Sequence, residues 1–379
     1  MLKVAIVGCG KIADQHLLAI RRIPDCELVG VCDREVLMAR QLGERFGVSR
    51  CFSDVDEMLR GAAPEVVHIT TPPQSHSLLA RQCLAGGCHV YLEKPFTVTA
   101  DEAEALLKYA DSCGRIITVG HNYQFTLEML EMRRLVRGGA LGGKPVHLES
   151  HWSYELGDAG YVAAMLGSPA HWVRQLPGQL LHNLISHGIA KLAEFLGDEL
   201  EEVVAMAHQS PLLQRMGGQE VLDELRVFIR DRTGTTGFFC FSTQIRPVLN
   251  QLRICGPAAL VVADITNGCL IKWPGRSYKS YLTYVVPPLM SARQYLSNAS
   301  RNIVSFLRQR LYQDFGMTEL IGRFYTSIRT GGPPPIPHRE ILLTARIMDD
   351  IFAQIRSRHQ ELTDRQRILR AALPTPCGI

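Results

Sequence analysis

The apolar run Val4–Val7 ends directly in Gly8-Cys9-Gly10-Lys11-Ile12-Ala13, and this junction constrains the fold more than any other part of the chain. Two glycines and a small residue at that spacing, between a strand and a helix, form a GxGxxA turn. Gly8 permits the tight bend, Gly10 lets the backbone approach a pyrophosphate, and Ala13 lets helix and strand pack closely. Amides at the start of the helix, around Lys11 and Ile12, are donors for phosphate oxygens. Asp33 lies 23 residues beyond Gly10, close to the spacing at which a carboxylate binds the hydroxyls of an adenosine ribose. A carboxylate there repels a ribose phosphate and favours NAD, whereas Arg34 beside it can accept that phosphate and keeps NADP open.

Apolar, β-branched runs alternate with helix-period segments through the first third, the pattern of a parallel sheet covered by helices. Strands are expected over Val4–Val7, Leu28–Cys32, Val66–Thr70, Val90–Leu92 and Ile116–Val119. Helices are expected over 12–22, 35–46, 55–60, 77–85 and 101–113, the last with Thr99 as N-cap. After about Asn122 the strands lengthen and alternate, at Val146–Trp152, Glu224–Arg230, Thr235–Ser242, Gln251–Cys255 and Leu260–Ile265. That reads as a mainly antiparallel open sheet, with helices over 180–196, 292–311, 318–330 and 339–358 covering one side. The expected class is α/β: a Rossmann domain over 1–122, an α+β domain over 123–362, and a flexible tail over 363–379.

Ligands of open α/β sheets bind at the carboxyl ends of the strands. One strand here ends in Thr70-Thr71-Pro72-Pro73, with His76 just beyond, and the next ends in Glu93-Lys94-Pro95. Thr71, Pro72, His76, Glu93 and Lys94 are therefore expected at the dinucleotide, together with Asn122 at the end of the first domain. Pro95 holds Lys94 extended and fixes where its ammonium points. A lysine partly buried beside a cationic nicotinamide ring has its proton affinity lowered, as a proton relay requires.

Composition excludes several other classes. The chain has 379 residues, with 41 Lys+Arg against 37 Asp+Glu and 21% charged residues, which is near the globular average. No basic stripe of the kind that grips nucleic acid is present. Eleven cysteines are scattered singly with no CxxC pair, so neither a zinc ribbon nor a disulfide framework is expected, and a reducing cytoplasm fits. No HExxH or clustered acids suggest a metal, and no apolar stretch approaches the length of a membrane span.

The GCGKIA turn, Asp33, the TTPP segment with His76, and the EKPF turn at Glu93–Phe96 together resemble the glucose-fructose oxidoreductase, inositol dehydrogenase and MocA family. The resemblance implies hydride transfer between nicotinamide and a secondary alcohol of a sugar or nucleotide-sugar, with proton movement assisted by Lys94. It also implies a C-terminal sheet that builds the substrate pocket on one side and a subunit interface on the other, in a homodimer or homotetramer. The family's second signature is an Asp, with Gly two, His four and Asp seven residues on. This sequence keeps only the histidine, as His187, with Asn183, Ile185 and Ala190 at the other positions. Asn183 and His187, four apart on one helix face, are expected at the substrate, where Asn183 orients a hydroxyl and acid-base work falls to Lys94 and His187. His182 diverges from Asn183 by about 100° and is expected as a further substrate contact. Trp172 and Arg174 stand where the family carries a Trp-Arg loop, for stacking on a ring and binding an acid or phosphate. Glu149–Tyr154 alternates polar and aromatic residues, as a sugar-facing strand does.

Two alternatives accompany this reading. One is a glycoside-cleaving enzyme of the same fold that retains and recycles its NAD, and the other is a non-catalytic nucleotide-binding sensor or scaffold. Separately, Pro287–Phe315 sets Arg293, Arg301, Arg308 and Arg310 among Leu296, Ile303, Val304, Phe306 and Leu307, Arg310 lying outside the residues the structure describes. That pattern suits a solvated helix packed on the sheet, or peripheral contact with an anionic membrane surface or a sugar-linked diphosphate.

Overall fold

The computed structural model describes residues 1–156, 165, 168–216, 221–276, 278–308 and 315–372, the last segment without the side chains of 359 and of 361 onward. The first sheet consists of β1 (Leu2–Val7), β2 (Cys26–Cys32), β3 (Cys51–Phe52), β4 (Val66–Ile69), β5 (His89–Leu92) and β6 (Ile117–Val119). All of its pairs are parallel and their order is β3-β2-β1-β4-β5-β6. This is the doubly wound order in which the two halves diverge at β1 and β4, leaving a crevice at their carboxyl ends. The expected strands are all present, and β3 is added. Two residues are too few to register as an apolar run, and β3 is recognisable only through its pairing with β2.

Between the strands run α1 (Lys11–Ile20), α2 (Val36–Phe46), α3 (Val55–Ala62), α4 (His76–Ala85) and α5 (Ala100–Ser112). Thr99 caps α5 as expected, its side chain accepting from the Glu102 N–H at 3.3 Å. A 3₁₀ turn over Asn122–Phe125 leads to α6 (Leu127–Arg137) and then to the second sheet.

That sheet comprises β7 (His147–Ser153), β8 (Leu200–His208), β9 (Glu224–Asp231), β10 (Thr236–Ser242), β11 (Asn250–Cys255), β12 (Ala259–Asp264) and β13 (Cys269–Pro274). Their order is β13-β12-β11-β7-β10-β9-β8, antiparallel throughout except for the central parallel pair β7–β10. The edge strands β8 and β13 carry too little apolar alternation to show in the sequence. One face is covered by α7 (Gln179–Leu184) and α8 (Ser186–Ala193), which replace the single helix expected over 180–196 and meet at Ile185. Gly188 sets the depth of α8 on the sheet, because a Cβ there would lie 2.3 Å from the Phe239 ring. A short α9 (Pro211–Arg215) follows β8, and α10 (Val286–Leu307) lies along β13.

The last two helices tie both cores together. In α11 (Phe315–Thr330), Met317, Leu320, Ile321, Phe324 and Tyr325 are buried in the first core, against α1 and the 3₁₀ turn after β6. A segment near the end of the chain thus returns to complete the dinucleotide half. Beyond it, α12 (His338–Ala372) packs on α5, α8 and β8 and continues past Leu362, through part of the span expected to be a tail. Asp349 accepts the Ala100 N–H, and Gln354 both donates to and accepts from the β8 backbone.

Candidate active site

At the head of the crevice Gly8 has φ +95°, and a Cβ there would lie 2.7 Å from the Thr71 side chain and 2.8 Å from its nitrogen. Only glycine fits. Gly10, by contrast, is the N-cap of α1 and has open space where a Cβ would stand, so the backbone is accessible beside the turn. Ala13 is fully buried. Asp33 ends β2 and accepts the Cys9 N–H at 2.8 Å and the Glu35 N–H at 2.9 Å, which fixes its carboxylate beside the glycine turn with lone pairs remaining. Arg34 is exposed next to it. These residues fit a dinucleotide: backbone amides at a helix N-terminus and a carboxylate oriented at the end of the second strand.

The next two strand ends are braced to one another. The ring of buried His76 has Nε2 at 2.8 Å from the Thr71 carbonyl and Nδ1 at 3.1 Å from that of Pro95, joining the TTPP segment to the EKP turn. Burial lowers its proton affinity. His76 thus holds the crevice wall from behind, while Thr71, whose hydroxyl accepts from Ser75, and exposed Pro72 form its edge.

Glu93 is buried within the wall. Its carboxylate accepts the Lys94 N–H at 3.0 Å and lies 2.9 Å from His16 Nε2. It leaves no room for a side chain at position 120, where a Cβ would sit 2.8 Å from Oε1. From His16 the polar chain continues through His68, Nδ1 to Nδ1 at 2.9 Å, to the Tyr325 hydroxyl at 2.8 Å from His68 Nε2. With Glu93 ionised and accepting, the chain is satisfied when Tyr325 donates to His68, His68 to His16 and His16 to Glu93. Burial alone would raise the Glu93 proton affinity, but His16 and the Lys94 amide hold it below the usual carboxylate range. Burial pushes His68 well down. This chain gives His68 a structural role.

Lys94 reaches out of the first half into the second. Its Nζ donates to the Asn183 carbonyl at 3.1 Å and lies 3.5 Å from Asn183 Oδ1. Burial lowers the proton affinity of the lysine, and Glu93 opposes this in part. His187, one helix on, packs among Tyr123 at 4.8 Å, Trp152 at 5.5 Å and His121 at 6.0 Å between ring centroids. Its Nδ1 is buried without a protein partner, a position a substrate hydroxyl would satisfy. Burial, with Lys94, His121 and Lys191 adding to it, keeps this imidazole neutral. Asn183 and His187 therefore reach the same place, although the helix expected to carry both is broken between them.

Other expected residues distribute less simply. The 3₁₀ turn Trp172–Gln175 docks on the crevice, Gln74 donating to the Trp172 carbonyl at 2.8 Å, so Trp172 and half-buried Arg174 border the site. His182 turns elsewhere: its ring stacks on Phe352 at 4.7 Å, in a small cavity lined by Phe96, Thr97, Ser186 and Thr344. Burial pushes it down to about 4. On β7 Trp152 packs on His187 and Ser150 donates to the adjacent Gly188 carbonyl, while Glu149 and His151 lie on the opposite face with Arg253. Asn122 opens the 3₁₀ turn after β6, with a buried, unpartnered Oδ1.

Two residues of the cluster escape the sequence reading. His121, driven down to about 3 by burial, follows β6 as Thr71 follows β4, so the strand-end rule reaches it. Lys191 is fully buried on α8, bonded to Asn250 Oδ1 at 2.5 Å and 5.4 Å from the Trp152 ring centre, and burial brings it down to about 7. Its signal is the four-residue spacing from His187.

An open parallel sheet with this strand order, glycine turn and oriented Asp33 defines a dinucleotide-binding α/β protein, here joined to an open-sheet domain. Residues 2–121 match the GFO_IDH_MocA model, an oxidoreductase family with an NAD-binding Rossmann fold. Over 142 residues it is 33% identical to the D-glucoside 3-dehydrogenase of Escherichia coli (strain K12), a stretch covering 37% of this chain and 40% of that relative. Over 140 residues it is 31% identical to the D-apiose dehydrogenase of Paraburkholderia graminis, 37% of either chain. These alignments thus span well under half of those relatives. A longer match, 22% identical over 337 residues, covers 88% of this chain and 90% of the myo-inositol 2-dehydrogenase of Thermotoga maritima. Among solved structures, the WlbA dehydrogenase from Bordetella pertussis, in complex with NADH and UDP-GlcNAcA, shares the fold with a TM-score of 0.75 at 19% identity, over 94% of this chain and 96% of that one.

Proposed function

We propose that the protein is an NAD(P)-dependent oxidoreductase that moves a hydride between nicotinamide and a secondary alcohol of a sugar or nucleotide-sugar. The observation that carries this reading is the contact of Lys94 with Asn183: a lysine of lowered proton affinity, from a cofactor-side turn, meets the helices of the second domain. The bound dinucleotide supplies the hydride acceptor or donor. Lys94 takes the alcohol proton or returns it, and Asn183 aims the ammonium. His187, neutral and with an unpaired Nδ1, orients the hydroxyl. Trp172 and Arg174 border the sugar and its substituents. Asp33 favours NAD, and Arg34 leaves NADP as a second cofactor.

The names of the relatives, dehydrogenases of a glucoside, apiose and inositol, favour net oxidation over a recycled cofactor or a sensor. The test is incubation with NAD, then NADP, and a panel of free and UDP-linked sugars, following the absorbance of reduced nicotinamide. Reduction that disappears in Lys94→Ala supports the proposal. Nucleotide binding without reduction by any sugar or nucleotide-sugar of a broad panel would overturn it.

A further inference from the structure

Helix α10 is built inside out. Its inward stripe is polar: Ser291 accepts from the Trp273 indole, Gln294 bonds both the N–H and the carbonyl of Lys272, and Asn298 does the same for Leu270. Asn302 adds a bond to the Gly268 carbonyl. These side chains satisfy the open edge of β13, which would otherwise present unpaired backbone groups. The outward stripe is apolar: Leu289, Leu296, Ile303, Phe306 and Leu307 are 60% to 73% exposed, and Tyr281 and Tyr284 are exposed just before the helix. Folding of a single chain gains nothing from this arrangement, and a patch of this kind marks a surface meant to be covered.

Charge states what covers it. From Ile265 to Gln313 the sequence has no Asp or Glu and seven Lys or Arg. Arg276, Lys279, Arg293 and Arg308 are exposed around the stripe, whereas Arg301 bonds Asn298 and faces Glu128 and Glu131 of α6. A second copy of the helix would set cation against cation. We propose that α10 is a membrane-surface element, which lies in the interface of an anionic bilayer with its apolar stripe among the acyl chains and its flanking cations at the headgroups. Among the described residues no helix is long and apolar enough to cross a membrane, so the contact is peripheral.

The experiment is flotation of the full-length protein with vesicles of phosphatidylcholine alone or mixed with phosphatidylglycerol, at low and high salt. Binding to the anionic vesicles, weakened by salt, is expected. Arg293→Gln with Arg308→Gln lowers partitioning by about fivefold per cation removed, and Leu296→Glu abolishes it, while the melting temperature stays unchanged. Equal binding to neutral vesicles, or no binding together with a dimer that Leu296→Glu converts to monomer, would overturn the proposal.

Discussion

The ammonium of Lys94, placed by the first sheet, and the carbonyl of Asn183, placed by the second domain, lie 3.1 Å apart. The position of this ammonium is therefore set by both halves of the molecule at once. Lys94→Ala is expected to lower kcat by about two to four orders of magnitude while dinucleotide Kd changes little. Single-turnover kinetics beside nucleotide titration separates the two, and parallel losses would show that Lys94 serves binding instead.

Asn183→Asp sets a carboxylate beside the lysine. A negative neighbour favours the charged ammonium and raises its proton affinity. The limb of the rate profile that needs neutral Lys94 should move to higher pH by about one unit, and kcat/KM measured across pH reads the shift directly.

Asp33 bonds Cys9 and Glu35 and leaves lone pairs toward the crevice. Asp33→Asn removes the charge but keeps the shape, so KM for NAD should rise about tenfold and the ratio of kcat/KM should move toward NADP. An unchanged ratio would mean that Arg34 or another group sets cofactor choice.

Tyr325→Phe removes the first donor of the buried chain and leaves His68 Nε2 without one. A stability loss of about 1–3 kcal/mol is expected, read as a lower urea midpoint at constant slope.

Lys191 falls from an ordinary 10.5 to about 7 on burial. Between those values the unfolded chain binds the proton and the folded chain does not, so stability rises with pH through that window. Lys191→Met should flatten the stability profile there by up to about 1.4 kcal/mol per pH unit. Urea unfolding at several pH values from neutral to alkaline checks it.

Local signals carry only part of this architecture. The glycine turn, Asp33 and the EKP turn are legible because each is a few adjacent residues whose backbone demands are peculiar to a strand end. The Glu93-His16-His68-Tyr325 chain is not, since its members come from four elements, with Tyr325 257 residues beyond His68, and no periodicity links them. His182 and Asn183 are neighbours in sequence, yet one stacks on Phe352 and the other holds Lys94. Helical spacing predicts that divergence but not which direction faces the crevice. The inverted polarity of α10 is visible as a pattern of arginines and leucines, while its sense, polar side inward, depends on the unpaired edge of β13.

Helix α11 has a consequence for biosynthesis. The segment that makes the glycine turn leaves the ribosome about 300 residues before α11, yet the apolar surface over α1 and the partner of His68 arrive only with Phe324 and Tyr325. The dinucleotide half, translated before the second domain, is finished only after it, and a chain stalled before residue 315 has every residue of its glycine turn and no closed core behind it.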